Sequence, residues 1–140
     1  MVLIDFPDQN ENSNCNQQRA SNLIDDSASN HIKQAFGQSI SLEIDYHDEI
    51  ISTDYALGDY GHDIDWDKDV GKNGVNPHIL AQEIVTKIKD DVSDWSKYDL
   101  NNDGWVDRFL ILHCTKAQED GGGTSSRIWS HFSSIEEVVE

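Results

Sequence analysis

The stretch Asp99-Leu100-Asn101-Asn102-Asp103-Gly104-Trp105-Val106-Asp107 carries oxygen-bearing side chains at its first, third, fifth and ninth positions, with glycine at the sixth. This is the first half of a calcium loop. A hard cation takes several oxygen ligands at about 2.3–2.6 Å; alternate residues of a tight turn can supply them, and glycine permits the sharp bend. Asp99, Asn101, Asp103 and Asp107 are therefore candidate calcium ligands. The same residues also suit an Asx-turn network without a metal, in which Asp and Asn accept from their own backbone. The twelfth position, where an EF-hand places a bidentate glutamate, is Leu110. That residue belongs to the continuous apolar run Phe109-Leu110-Ile111-Leu112-His113-Cys114. Such a run reads as a buried strand, so the loop leads into a strand and the chain is not an EF-hand.

The other candidates for chemistry are sparse. The six histidines are His31, His47, His62, His78, His113 and His131. None is followed by Glu and no two are four residues apart, so neither His-Glu-x-x-His nor its inverse is present. Zinc takes four ligands in structural sites and three plus water in catalytic ones, and this chain alone is not expected to bind it. There is no Gly-x-Ser-x-Gly elbow, and no nucleophile and base can be paired, so no catalytic residue is assigned. Asp63, Asp65 and Asp67 alternate, as a second cation site might, and read rather as a solvated acidic loop, since no glycine follows Asp67 closely.

These residues need elements to hold them. Val2-Leu3-Ile4-Asp5-Phe6 predicts a short apolar strand closed by Pro7-Asp8. Residues 9–22, rich in Asn and Gln, predict a surface loop. Ser29 or Asn30 can cap a short helix carrying Ile32, Ala35 and Phe36, with Gly37 as its stop. Ile40, Leu42 and Ile44 alternate with Ser41, Glu43 and Asp45, a period of two that predicts a half-buried strand, and Ile50-Ile51 continues the sheet. Residues 54–76 predict an irregular stretch. Asn76-Pro77 opens the main amphipathic helix, predicted to end between Val92 and Trp95, with Leu80, Ile84, Ile88 and Val92 on one face. Helix, loop and apolar strand in that order make an α/β connection. Residues 1–140 are expected to form one domain or part of one.

Beyond the strand come Gln118-Glu119-Asp120-Gly121-Gly122-Gly123 and then Ile128-Trp129-Ser130-His131. Asp/Asn/Gly loop, apolar strand ending near His, acidic triple-glycine turn and Ile-Trp-Ser-His, in that order, resemble the M6 metallopeptidases of the immune-inhibitor-A type. Val2-Leu3-Ile4-Asp5-Phe6-Pro7-Asp8-Gln9 resembles the first strand of that family, and Phe36-Gly37-Gln38-Ser39-Ile40-Ser41-Leu42 its helix-to-strand junction. The resemblance spans nearly the whole chain, and residues 99–131 are its specific part. It implies a zincin-like α/β fold with a mixed sheet and a secreted zinc metalloendopeptidase acting on proteins or peptides. In that family the zinc helix lies downstream of the Ile-Trp-Ser-His segment. The expectation is therefore the N-terminal portion of a peptidase domain, cut before its zinc motif. The resemblance places His113 and His131 beside that helix in a supporting role. Glu119 and Asp120 can line the substrate cleft or serve as an ordinary hairpin connection.

Composition limits the alternatives. With 27 acidic and 10 basic residues the net charge is −17, a field that repels nucleic acid and anionic membranes and suits calcium. No run approaches the roughly 18 apolar residues of a membrane span, and Asp5 interrupts any signal-like start. Secretion is implied by the resemblance alone. Of the two cysteines, Cys114 is expected as a buried free thiol, with a Cys15–Cys114 bridge as the alternative in an oxidising compartment. A different functional class also fits: a non-catalytic acidic calcium-binding or adhesion module on a degenerate peptidase scaffold.

Overall fold

The apolar run after Met1 becomes the central strand of a sheet. The structure, a computed structural model, describes residues 1–9, 15–120 and 124–135. Strand β1 (Val2–Asp5) lies between β2 (Ile50–Ser52) and β3 (Ile111–His113), giving the order β2-β1-β3. Both pairings are parallel, with Leu3 opposite Ile50 and Leu112, and Ile4 opposite Ile51 and His113. The described sheet is thus parallel throughout rather than mixed. A central parallel strand is covered on both faces and carries no polar alternation. Val2, Leu3 and Ile4 are accordingly all buried, as is Phe6 just beyond.

One face of the sheet is covered by α4 (Pro77–Ile88). Its start is set by sequence chemistry. The Asn76 side chain accepts from the backbone N–H of His78 and Ile79, and Pro77 occupies a first-turn position that needs no donor. Leu80, Ile84 and Ile88 recur every four residues and are buried with Val2, Ile4, Phe6, Leu57, Tyr60 and Ile128 in one apolar cluster. Burial of each such side chain contributes roughly 1.5–3 kcal/mol. The helix stops at Ile88, sooner than its stripe predicts. Trp95 belongs to a separate 3-10 turn (Trp95–Tyr98) and packs against the cluster from there, its indole N–H donating to the Lys89 carbonyl at 3.1 Å.

Helix α3 (Leu57–Tyr60) adds Leu57 and Tyr60 to that core. The Tyr60 hydroxyl donates to Glu83, whose carboxylate also accepts from the Asp54 amide at 2.7 Å and lies 3.0 Å from Lys87 Nζ. Burial and the Glu83 carboxylate both push the Tyr60 phenol well above its ordinary value. Lys87 also donates to the Ser52 carbonyl and to Asp54, each at 2.7 Å, which ties α4 to the end of β2.

Three expectations fail between β1 and β2. Residues 17–22 are helical, not a loop: α1 (Gln17–Ile24) starts at Asn16, whose side chain accepts from the Arg19 N–H, and runs on through a π turn (Asp25–Ser29) into α2 (Asn30–Phe36). Ser29 and Asn30 are therefore inside a helix and cap nothing. Gly37 does end it, with φ of +74°. Ile40, Leu42 and Ile44 alternate with polar residues, but among the described residues they join no strand and none runs beside them, and Ile40 and Leu42 stay exposed. Cys114 is not free. It is joined to Cys15 across a Cα–Cα distance of 5.2 Å and 99 residues of sequence, which tethers the start of α1 to the end of β3. Among the described residues no helix is long and apolar enough to cross a membrane.

Ile84 is completely buried at the centre of the cluster. Replacing it with Ala is expected to cost on the order of 2–5 kcal/mol, since a partly collapsed cavity adds to the lost transfer energy. Urea unfolding monitored by circular dichroism measures this; a loss of about 0.5 kcal/mol or less, the size of a surface change, overturns the packing described.

Candidate functional site

Parallel strands align their carboxyl ends on one edge, and open α/β sheets bind ligands there. His113 is the last residue of β3 and lies on that edge. Its ring centroid is 6.0 Å from that of Phe6, and its Nδ1 is 3.0 Å from the Thr115 hydroxyl. Burial pushes its pKa below the ordinary imidazole value; the nearby carboxylates of Glu119 and Asp120 act in the opposite direction and do not prevail.

Beyond β3 the chain turns at residues 117–120. The Ala117 amide donates to Asp120 Oδ2 at 3.2 Å, and the Asp120 amide returns a bond to the Ala117 carbonyl. The chain then comes back as residues 124–131, with the Gln118 amide bonded to the Ile128 carbonyl at 3.1 Å. Glu119 accepts from both the amide and the hydroxyl of Ser130. These bonds hold the Glu119 carboxyl below its usual range. Residues 121–123, the triple glycine, lie outside the described residues.

A second loop, residues 61–72, braces the returning segment from below. Gly61 makes this possible: an added Cβ would stand 2.6 Å from the Arg127 carbonyl carbon and 2.7 Å from the Ile128 nitrogen. Ile128 can then reach the core. Asp63 is buried rather than solvated, contrary to expectation; Asp65 and Asp67 are exposed as expected. The Asp63 carboxylate accepts from Gln118 Nε2 at 2.8 Å, Lys68 Nζ at 2.9 Å and the Asp69 amide at 3.0 Å. Burial favours its neutral form, but these donors outweigh that and hold its pKa low.

No spacing in the sequence singles out Asp69. Its backbone is left-handed, with φ of +52°, and its side chain is only 1% exposed. Its Oδ2 accepts from the Trp129 amide at 2.9 Å and lies 2.5 Å from His131 Nε2. Its Oδ1 is buried with no partner among the described residues. Asp69 and His131 line a cavity of about 210 Å³ together with Lys68, Asn76, Pro77 and His78 at the start of α4. The site thus brings His131 to Asp69 and Glu119 to Ser130. Among the described residues no hydrogen bond joins His113 to His131.

The Asp99 loop lies elsewhere, ahead of β3. Asp99 Oδ1 accepts from the Asp103 amide at 3.0 Å and its Oδ2 from the Gly104 amide at 2.8 Å. Asn101 Oδ1 accepts from Asp103, Asp103 Oδ1 from Trp105, and Asp107 Oδ2 from Leu100, all backbone amides within 3.0 Å. Gly104 and Asn102 take positive φ, 89° and 58°. This is the Asx-turn arrangement, in which the side chains hold the turn by themselves. Among the described residues no three His, Cys, Asp or Glu side chains are grouped to hold a metal ion. No known family model matches the chain, and no curated protein matches it in sequence.

Two histidines should titrate on opposite sides of the ordinary value of about 6.5. His47 is also penalised by burial, but its bonds to the Glu49 carbonyl and to Asp91, 3.1 Å away, raise it. The stabilisation due to His47 is present below about pH 6.5 and is lost as pH rises through its raised value. The contribution of neutral His113 is present above about pH 6.5 and is lost as pH falls towards its depressed value. Ring resonances followed by NMR should show His113 titrating below His47, and His113→Gln should flatten the acid side of the stability profile. The reverse order of titration overturns the burial argument for His113.

Proposed function

We propose that the chain is the N-terminal portion of a zincin-like peptidase domain of the M6, immune-inhibitor-A type, belonging to a secreted zinc metalloendopeptidase that hydrolyses peptide bonds in proteins. The observation that carries this reading is the meeting of three sequence segments at the carboxyl edge of the sheet: the end of β3 with His113, the Glu119–Asp120 turn, and the Ile128-Trp129-Ser130-His131 segment. The order of these segments in the sequence is the specific part of the resemblance. The Cys15–Cys114 disulfide supports an oxidising, extracellular setting.

In such an enzyme zinc activates a water and polarises the scissile carbonyl. The residues of this chain do the positioning. Asp69 fixes the ring of His131, Ser130 fixes the carboxylate of Glu119, and Asp63 binds the two loops that carry them. The zinc ligands and the general base belong to a segment downstream of His131. The test is to read the gene beyond codon 140 and assay both lengths on unfolded casein with zinc. The longer protein should contain His-Glu-x-x-His and cleave in a chelator-sensitive way, while residues 1–140 alone should not. Chelator-sensitive cleavage by residues 1–140 overturns the proposal.

A second reading, a non-catalytic calcium-binding or adhesion module, is favoured by the Asp99 loop and would be supported by a stop codon after Glu140. Calcium is compatible with either reading. The donor types suit a hard cation, with three carboxylates and an amide oxygen within nine residues where a divalent ion relieves mutual repulsion, although in the structure they accept from backbone amides and, among the described residues, are not grouped as a metal site. Asp99, Asn101, Asp103 and Asp107 would hold it, in a purely structural role. Calcium at a hundredfold excess over its dissociation constant is then expected to stabilise the fold by about 2.7 kcal/mol, and Asp103→Ala to abolish the gain. A melting temperature unchanged in about 10 mM calcium, above the weakest affinity of extracellular modules, removes calcium from the account.

A further inference from the structure

Trp66 is 94% exposed. An indole so fully in water is uncommon, and looseness of the loop does not explain it. The Ile64 amide donates to the Asp67 carbonyl at 3.0 Å, and the Asp67 amide donates back at 2.9 Å. Asp65 and Trp66 are therefore the two residues at the tip of a closed turn, with Asp65 held left-handed at φ of +55°. The base of the turn is anchored by Asp63, whose carboxylate takes three donors and whose amide donates to the Ser125 carbonyl at 2.9 Å. A large aromatic side chain presented on a braced turn loses little freedom on binding, which is how interface anchors gain their energy.

The surroundings specify the partner. Asp65 and Asp67 adjoin Trp66 and are exposed, and among the described residues neither carboxylate makes a hydrogen bond or ion pair. The nearest cation in sequence, Lys68, is committed to Asp63 at 2.9 Å and to the face of Trp129 at 5.8 Å. The face of an indole attracts cations, above all when carboxylates stand beside it. The net charge of −17 disfavours a second copy of the chain, nucleic acid or an anionic membrane, and steers cationic partners inward.

We propose that Trp66, with Asp65 and Asp67, is a docking point for a lysine- or arginine-bearing segment of a partner polypeptide. The proposal stands apart from the peptidase reading, since it uses no residue of that site except the Asp63 anchor of the loop.

The test uses the whole chain and a dye-labelled peptide of alternating lysine and glycine, followed by fluorescence anisotropy at physiological salt, with a glutamate–glycine peptide as control. Trp66→Ala should weaken binding of the lysine peptide about fivefold, in the range expected of a cation over an indole, and Trp66→Phe should restore part of it. Asp65→Asn/Asp67→Asn should weaken it more than Asp26→Asn/Asp90→Asn, an equal loss of charge on other exposed acids. Because Trp66 lies outside the core, its variants should melt with the parent protein. Equal binding by Trp66→Ala and the parent protein, equal effects of the two double variants, or no binding of the lysine peptide each overturns the proposal. So does Trp66-dependent binding to phosphatidylcholine vesicles without Trp66-dependent binding to the peptide.

Discussion

Strand β1 has a neighbour on each side and an apolar residue on each face, and the rest of the structure answers that constraint. Val2, Leu3 and Ile4 place apolar side chains on both faces of that strand, which must therefore be covered above and below, and Asp5 at its end is its one polar residue. The α4 stripe, Leu57, Tyr60 and Ile128 close one side. Ile128 comes from the far end of the described chain, so the segment carrying His131 is held in place by the same core that holds the sheet. The candidate site is not an appendage: the Ile128 core contact and the bonds of Trp129, Ser130 and His131 to Asp69 and Glu119 hold the same segment. Gly61 serves the same end by letting two backbones meet where any side chain would hold them apart.

The elements legible in the sequence were those whose signals are local and redundant. Asn76-Pro77 specifies a helix start by backbone chemistry alone, and Leu80, Ile84 and Ile88 specify its buried face by spacing. Val2 to Ile4 and Phe109 to Cys114 are apolar runs that both supplied strands of one sheet, but the second forms a strand only over Ile111 to His113 and is half-buried there rather than buried, with Leu110 exposed. The failures have a common cause. The period of two at Ile40, Leu42 and Ile44 is as clear as any in the chain, but alternation describes a strand only if another strand lies beside it. The start of α1 carries almost no apolar signal, and its capping residue, Asn16, is one of several asparagines in the same stretch. The pairing of Cys15 with Cys114 depends on where α1 begins relative to the end of β3, which no spacing encodes.

Acidic residues divide along the same line. In the Asp99 loop each side chain accepts from an amide no more than seven residues away. Such bonds are set by sequence position, which is why the loop was legible as a turn with donors around Gly104. Asp63 and Asp69 instead find Gln118, Trp129 and His131, between 55 and 62 residues distant. A carboxylate buried without donors is strongly unfavourable, and one supplied with them joins whatever segments provide them. Nothing in Asp63-Ile64-Asp65-Trp66-Asp67 distinguishes the first aspartate, which braces the site, from the two that stay in water.

That division bears on how the site can vary. The 61–72 loop has two ends with different obligations. Its base is bound to the core and to the returning segment, so changes at Gly61, Asp63 or Asp69 disturb backbone placement at the carboxyl edge of the sheet. Among the described residues its tip is bound only to itself, through the Ile64–Asp67 pair. Substitutions at Asp65, Trp66 or Asp67 that preserve the turn leave the base untouched, since none of their side chains contributes to it. The base therefore constrains the tip's position without constraining its chemistry, and packing does not require an exposed tryptophan between two exposed carboxylates.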